Sequence, residues 1–146
     1  MESKKHIVVI VGTLFPSPSA VANCALNVIE VLKKKHLITV LSVSNGESHI
    51  NEINSHRSSV IFTKKNTLNQ STLRGKFGRF IKTHLSATSI DKSKVQEYIY
   101  LLEKVNMLNK IDLLVPFIFP YEAAVAAQRF SHINSHCLIA PVQFDN

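Results

Sequence analysis

The chain has 146 residues, of which 45% are hydrophobic and 18% are charged. This composition supplies the core of one globular domain and excludes a disordered, solvating chain. The 17 basic and 10 acidic residues give a net charge of +7, but the 57–82 segment holds seven of the basic residues and none of the acidic ones. The remainder is neutral, so no nucleic-acid partner is expected.

Strand and helix patterns alternate along the first half of the chain. Residues 7–11 are a continuous β-branched run, which predicts a strand buried on both faces. Ser19 is a suitable N-cap for a helix with apolar residues at helical spacing, and three lysines at 33–35 end that helix. A second strand is predicted over 37–43 and a short third strand over 60–62.

The same alternation continues in the second half. Residues 74–85 have a helical pattern that two glycines weaken. Either Asp91 or Ser93 can cap a longer helix that runs to about residue 109. The remaining predicted elements are a strand over 113–119 that Pro116 interrupts, an Ala-rich helix over 121–130 and a last strand over 137–142.

This alternation predicts one α/β domain over residues 1–146. Strands separated by helices favour βαβ units, so we expect a Rossmann-like three-layer sandwich with a mainly parallel sheet of about five strands. Ligands bind such sheets at the carboxyl ends of the strands. Because the sequence ends directly after the last predicted strand, we expect this domain to be the N-terminal half of a larger protein.

Cysteine and histidine positions predict no disulfide framework and no metal site. Cys24 and Cys137 have no metal-ligand spacing, and the seven histidines have none either. His132 and His136 are four residues apart, but the intervening Asn-Ser indicates that the helix ends between them. The N-terminus lacks a signal-peptide pattern and no apolar run reaches ~18 residues. We therefore expect a reduced, cytoplasmic protein.

The 12–19 loop follows the first predicted strand. Dinucleotide and P-loop sites need glycine-rich backbone there to approach phosphates, whereas this loop has one glycine and two prolines, which lack an N–H. NAD and ATP binding by these routes are therefore not expected. Two interpretations stay open: a rigid pocket lip that recognises sugar hydroxyls, or a plain βα turn with a serine cap.

Four stretches carry a resemblance to a known family. They are KKHIVVIV at 4–11, a Phe-Pro loop, the helix from residue 20 and HLITVL at 36–41. In this order they resemble the N-terminal domain of GT-B glycosyltransferases, in particular the retaining group-1 (family-4) type that uses nucleotide sugars. The similarity is best over residues 5–44 and extends again over 111–145.

The resemblance implies an acceptor-binding role. In this family the N-terminal domain binds the acceptor, while a C-terminal domain binds most of the donor. Pro18, Ser19 and Ala20 stand where the family usually has a glycine pair, and Phe144 replaces a histidine before Asp145. Glu122 either bonds an acceptor hydroxyl or complements a helix dipole. The implied substrate-binding residues are Phe15, Ser17, Pro18, Ser19, Ala20, Tyr121, Glu122 and Asp145; no catalytic residue is assigned.

The resemblance also implies partners. We expect no cofactor in this domain, a nucleotide-sugar donor for the full-length enzyme, a separate C-terminal donor-binding domain, and a sugar or lipid-linked acceptor. By itself the chain is not expected to catalyse transfer. The alternative is a noncatalytic Rossmann-like binding or adaptor domain, which the missing glycine pair and histidine favour. A flavodoxin-like protein ranks third, because prolines occupy its phosphate loop.

The 74–85 segment mixes aromatic and basic residues. Three interpretations stay open: a solvated cationic helix with its aromatics in the core, an anchor on an anionic membrane surface at the inner face, or a contact with an anionic acceptor. The residues proposed for this membrane or acceptor surface are Arg74, Lys76, Phe77, Arg79, Phe80 and Lys82.

Overall fold

A computed structural model describes residues 3–12, 14, 19–43, 58–63, 90–118 and 121–143. Within these residues, strands and helices follow one another much as the sequence pattern predicts. Their bounds are β1 His6–Ile10, α1 Ala20–Leu32, β2 Leu37–Val43, β3 Ser58–Thr63, α2 Lys92–Leu108, β4 Leu113–Pro116, α3 Tyr121–Ile133 and β5 Leu138–Ile139.

The strands form a parallel sheet in the spatial order β3-β2-β1-β4-β5. In the centre, Ile7 of β1 lies beside Ile38 of β2 and Leu113 of β4. The predicted Rossmann-like α/β fold with a parallel sheet is thus confirmed. The expected count of about five strands is corrected: four strands in the described chain have four or more residues, and the fifth contributes only the two residues Leu138–Ile139.

Pro116 gives the physical reason for this short edge strand. The N–H groups of Ala140 and Val142 donate to the carbonyls of Leu114 and Pro116, at 2.8 and 2.9 Å. In a regular parallel ladder, residue 116 donates its own N–H to the carbonyl of Ala140. Proline has no N–H, so the regular ladder ends before this point. The strand predicted over 137–142 is thereby reduced to Leu138–Ile139.

Helices cover both faces of the sheet. All five residues of β1 are buried, as the β-branched run predicts. Ile7 and Val9 pack with α1, whereas Val8 and Ile10 pack with α2 and α3. Each fully buried side chain of this size stabilises the fold by about 1.5–3 kcal/mol relative to an exposed one. The buried helix residues are Ala22, Ala25 and Ile29 on the first face, and Val95, Tyr98, Leu102, Val105, Ala123, Ala126, Ala127 and Phe130 on the second.

Side-chain caps fix where two of the helices begin. Ser19 is the N-cap of α1, and its hydroxyl oxygen accepts a hydrogen bond from Ala22 N at 3.0 Å. Asp91 caps α2, accepting from Ser93 N at 3.0 Å and Lys94 N at 3.4 Å. The sequence left open whether Asp91 or Ser93 begins this helix, and the structure assigns the cap to Asp91. A cap of this kind contributes about 1 kcal/mol.

Several boundaries differ from those predicted. β3 spans Ser58–Thr63 and is longer than the expected 60–62, and α3 continues three residues past the predicted end. Since α3 ends at Ile133, His132 lies on the helix and His136 lies after it, as predicted. The helical pattern predicted over 74–85 lies outside the described residues.

Candidate functional site

The strand order creates a position where the connections after two neighbouring strands leave toward opposite sides of the sheet. After β1 the chain moves to β2 and β3 on one side, and then returns to β4 on the other side of β1. The carboxyl ends of β1 and β4 therefore meet at a topological switch point, which is where open α/β sheets bind ligands. We call this candidate site the β1–β4 edge. Its described residues, which follow these strands or begin the next helices, are Gly12, Leu14, Ser19, Ala20, Phe117, Ile118, Tyr121 and Glu122.

Hydrogen bonds to β2 fix the start of the loop after β1. Val11 N donates to Leu41 O at 2.9 Å, which extends the pairing past the end of the strand. The fully buried hydroxyl of Ser42 then donates to Gly12 O at 2.9 Å. Two residues further on, Leu14 is 2% exposed and packs in the core against α1. The base of the loop is therefore held by both hydrogen bonding and burial.

The N-terminus of α1 lies at this edge, where the backbone amides of a helix carry a partial positive charge. Ser19 contributes its side-chain oxygen to Ala22 N and its carbonyl to Asn23 N, at 3.0 Å each. A hydroxyl has two acceptor lone pairs and one donor hydrogen. The cap uses one lone pair, so the exposed Ser19 hydroxyl retains its hydrogen for a ligand.

The opposite side of the edge is built by the residues after β4. Phe117 N donates to Ile10 O at 2.8 Å and Ile118 N donates to Val142 O at 3.1 Å. The Phe117 side chain is completely buried against the α1 face. Tyr121 begins α3 at this edge and is 55% exposed.

Glu122 has a structural contact that the sequence did not predict. Its Oε1 accepts a hydrogen bond from Asp91 N at 3.1 Å, in a partly buried position. The carboxylate lies in the first turn of α3, where a negative charge is favourable to the helix dipole. The same side chain thus stabilises the start of α3 and ties it to the start of α2.

The structure brings four of the predicted contact residues to one edge of the sheet. Ser19 and Ala20 are at the start of α1, and Tyr121 and Glu122 are at the start of α3. A ligand-binding role for these four stays a prediction. The other predicted residues lie outside the described residues: Phe15, Ser17, Pro18 and Asp145 of the acceptor site, and Arg74, Lys76, Phe77, Arg79, Phe80 and Lys82 of the proposed surface.

Sequence reasoning missed Ser42 as a supporting residue. The only signal was a small polar residue near the end of an apolar strand, and such a residue is common at strand ends. Its role depends on the parallel pairing of β1 with β2, which brings Ser42 beside Gly12 across thirty positions of sequence.

Comparisons with known proteins add no family assignment. Neither the protein-family models nor the curated protein sequences gave a match to this chain. Across the described ranges, no three His, Cys, Asp or Glu side chains come together as ligands for a metal ion. In the same ranges, every helix is too short or too polar to cross a bilayer.

Proposed function

We propose that this chain is the acceptor-binding N-terminal domain of a nucleotide-sugar-dependent glycosyltransferase, and that the acceptor binds at the β1–β4 edge. The observation that carries the proposal is the strand order β3-β2-β1-β4-β5, which puts the starts of α1 and α3 at one switch point. The family resemblance over residues 5–44 supplies the substrate class.

The chemistry of the edge suits a sugar. The Ser19 hydroxyl can donate to a sugar oxygen while it caps α1, and the half-exposed Tyr121 adds an aromatic side chain of the kind that packs on the apolar face of a pyranose. The positive end of α1 favours a phosphate, such as that of a lipid-linked acceptor. The bond from Ser42 to Gly12 O holds the base of the loop in place.

This domain contributes position rather than reacting groups. Transfer requires the acceptor hydroxyl to be held against the donor, and such positioning lowers the barrier by itself. We assign donor binding to a second domain and the acceptor to a molecule at the cytoplasmic face of a membrane. No cofactor is assigned to the described residues.

A noncatalytic adaptor domain is the second candidate. The observation that favours it is that Ser19 and Glu122 both make structural bonds, to Ala22 N and Asp91 N. Side chains that cap and join helices are explained without a ligand. In this case the β1–β4 edge would bind a protein segment instead of a sugar.

Backbone amide NMR separates these candidates. The ¹⁵N-labelled chain is titrated with glucose, mannose and N-acetylglucosamine, and separately with UDP. We expect saturable shifts of the Gly12, Ser19, Ile118 and Tyr121 amides with at least one sugar. No saturable shift at these residues with any of the three sugars would overturn acceptor binding and favour the adaptor.

A Ser19→Gly variant tests the hydroxyl contact. Glycine at an N-cap costs only a few tenths of a kcal/mol relative to serine, so α1 remains folded. We expect sugar affinity to fall by about threefold or more, as for the loss of one neutral hydrogen bond. Ser131→Ala, which removes a hydroxyl from the far end of α3, is the matched control and should leave affinity unchanged.

A further inference from the structure

At the amino ends of the strands, opposite the β1–β4 edge, the structure contains a cavity of about 250 Å³. It lies at the amino ends of β1, β2 and β4, and the length of β1 separates it from the candidate acceptor site. Admitting one water molecule takes only about 10–15 Å³ of such volume, so a group much larger than water fits. Its polar lining residues are Lys4, Lys5, His6, Asn109, Lys110 and Asp112.

The lining carries a positive charge. Lys4, Lys5 and Lys110 contribute three cations against the single carboxylate of Asp112. One oxygen of that carboxylate, Oδ2, already accepts a hydrogen bond from His6 N at 2.7 Å. Asn109 is also a lining residue, and the charged side chains of the lining residues carry a net positive charge.

The backbone at two of these lysines, Lys5 and Lys110, is held by hydrogen-bonding contacts. The carbonyl of Lys5 accepts from Leu37 N at 2.9 Å, at the start of β2. On the other side, the buried imidazole of His6 lies 3.0 Å from Asn109 O and 3.3 Å from Lys110 O. The backbone of Lys5 is therefore held by β2 and that of Lys110 by the His6 imidazole, so their exposed side chains are the parts that a ligand needs to order.

More cations lie at the same edge. Helix α1 runs back along the sheet and ends at Leu32, and the turn after it contains Lys33, Lys34 and Lys35 before β2 begins. Cations here also complement the negative end of α1. Lys4 and Lys5, however, precede a strand rather than follow a helix. The helix dipole therefore does not explain their position.

We infer that this cavity binds a phosphate group, held by Lys4, Lys5 and Lys110. Lysine ammonium groups are point charges that bind phosphate through several rotatable donors. The phosphate can belong to a small soluble molecule or to a lipid headgroup, since the chemistry of the contact is the same. This inference does not depend on the acceptor site, because it concerns different residues at the opposite edge.

The first test uses inorganic phosphate as the probe. The ¹⁵N-labelled chain is titrated with sodium phosphate at pH 7 and constant ionic strength, and the amide shifts of Lys5, His6 and Lys110 are followed. We expect saturable shifts at these residues. The second test measures co-sedimentation with phosphatidylcholine vesicles that contain phosphatidic acid, which detects a headgroup source.

Two double variants with the same change in net charge decide whether phosphate binds at the cavity. Lys5→Gln with Lys110→Gln removes two cations from the cavity, and Lys92→Gln with Lys104→Gln removes two exposed cations from α2. We expect the cavity double variant to weaken phosphate or vesicle binding by about fivefold or more, and the α2 double variant, which is the control, to change it by less than about twofold.

Two results would overturn the inference. One is a negative result in both tests: phosphate causes no saturable shifts at these residues, and the cavity variant does not weaken vesicle binding. The other is an equal loss of binding in the two double variants, which would assign it to overall charge. All four lysines are exposed, so the variants are expected to fold, and their amide spectra verify this in the same experiment.

Discussion

The imidazole Nε2 of His6 lies 3.0 Å from the hydroxyl oxygen of Thr39, and both residues are about 95% buried where β1 and β2 begin to pair. The other ring nitrogen, Nδ1, is 3.0 Å from the carbonyl oxygen of Asn109. A carbonyl only accepts, so Nδ1 donates, and in the neutral imidazole Nε2 then accepts from the Thr39 hydroxyl. One buried side chain thereby joins β1, β2 and the turn before β4.

We expect this pair to be coupled energetically. His6→Phe removes the ring nitrogens and leaves buried polar partners behind, so the free energy of unfolding should fall by about 2 kcal/mol. With Thr39→Val, a double-mutant cycle in urea should give a coupling energy of about 1 kcal/mol. The exposed His132→Phe is the control and should change stability by less than about 0.5 kcal/mol. A coupling energy near zero would contradict the assignment.

The hydrogen bond from Ser42 to Gly12 O leads to a second prediction about stability. Ser42→Ala removes this hydrogen bond from a completely buried side chain and leaves the partly buried Gly12 carbonyl without its donor, so we expect a loss of about 1 kcal/mol in the free energy of unfolding. Ser131→Ala removes an exposed hydroxyl that bonds Gln128 O and should have little effect. Equal losses in the two variants, measured by chemical denaturation, would show that the buried bond contributes nothing specific.

Much of the architecture could be predicted because it depends on local pattern. The apolar run in β1, the serine cap of α1 and the apolar spacing of α2 each specify an element without reference to the rest of the chain. The exception is β5, where Pro116 removes a ladder hydrogen bond on a neighbouring strand. Pro141 is a local sign of an edge strand. The bond lost at Pro116 has no such sign near residue 140, because it depends on which strands become neighbours.

The candidate site was less predictable for the same reason. Sequence position identified Ser19 and Tyr121 near strand ends, and the strand order then placed both at one edge. The contact between Glu122 and Asp91 N required knowing that α2 and α3 pack side by side. The cavity at the opposite edge joins residues that are more than 100 positions apart, namely Lys4 and Lys110. No spacing rule in the sequence connects them.

Cys137 makes the stability of the fold depend on pH in the alkaline range. Burial, with a smaller effect from the Asp112 carboxylate, raises the pKa of this thiol from 9.0 to about 11. Because the folded state holds the proton more tightly than the unfolded chain, this group stabilises the fold fully below pH 9. That contribution is lost as the pH rises from 9 to about 11. Between pH 9 and about 11, the free energy of unfolding measured by urea denaturation should therefore fall less for Cys137→Ala than for the natural chain. Parallel curves for the two proteins would contradict the raised pKa.

Substitutions of Asp91, the cap of α2, distinguish the contribution of its hydrogen bonds from that of its negative charge. Asp91 Oδ1 accepts from Ser93 N and Lys94 N, and asparagine offers an equivalent oxygen. We expect Asp91→Ala to lower stability by about 1 kcal/mol, which for a domain of this size is a fall of about 2–4 °C in Tm. Asp91→Asn should lower it by less than half as much. Thermal unfolding followed by circular dichroism checks both values. If Asn and Ala give equal losses, the charge at the helix N-terminus, and not the hydrogen bonds of the cap, is the stabilising feature.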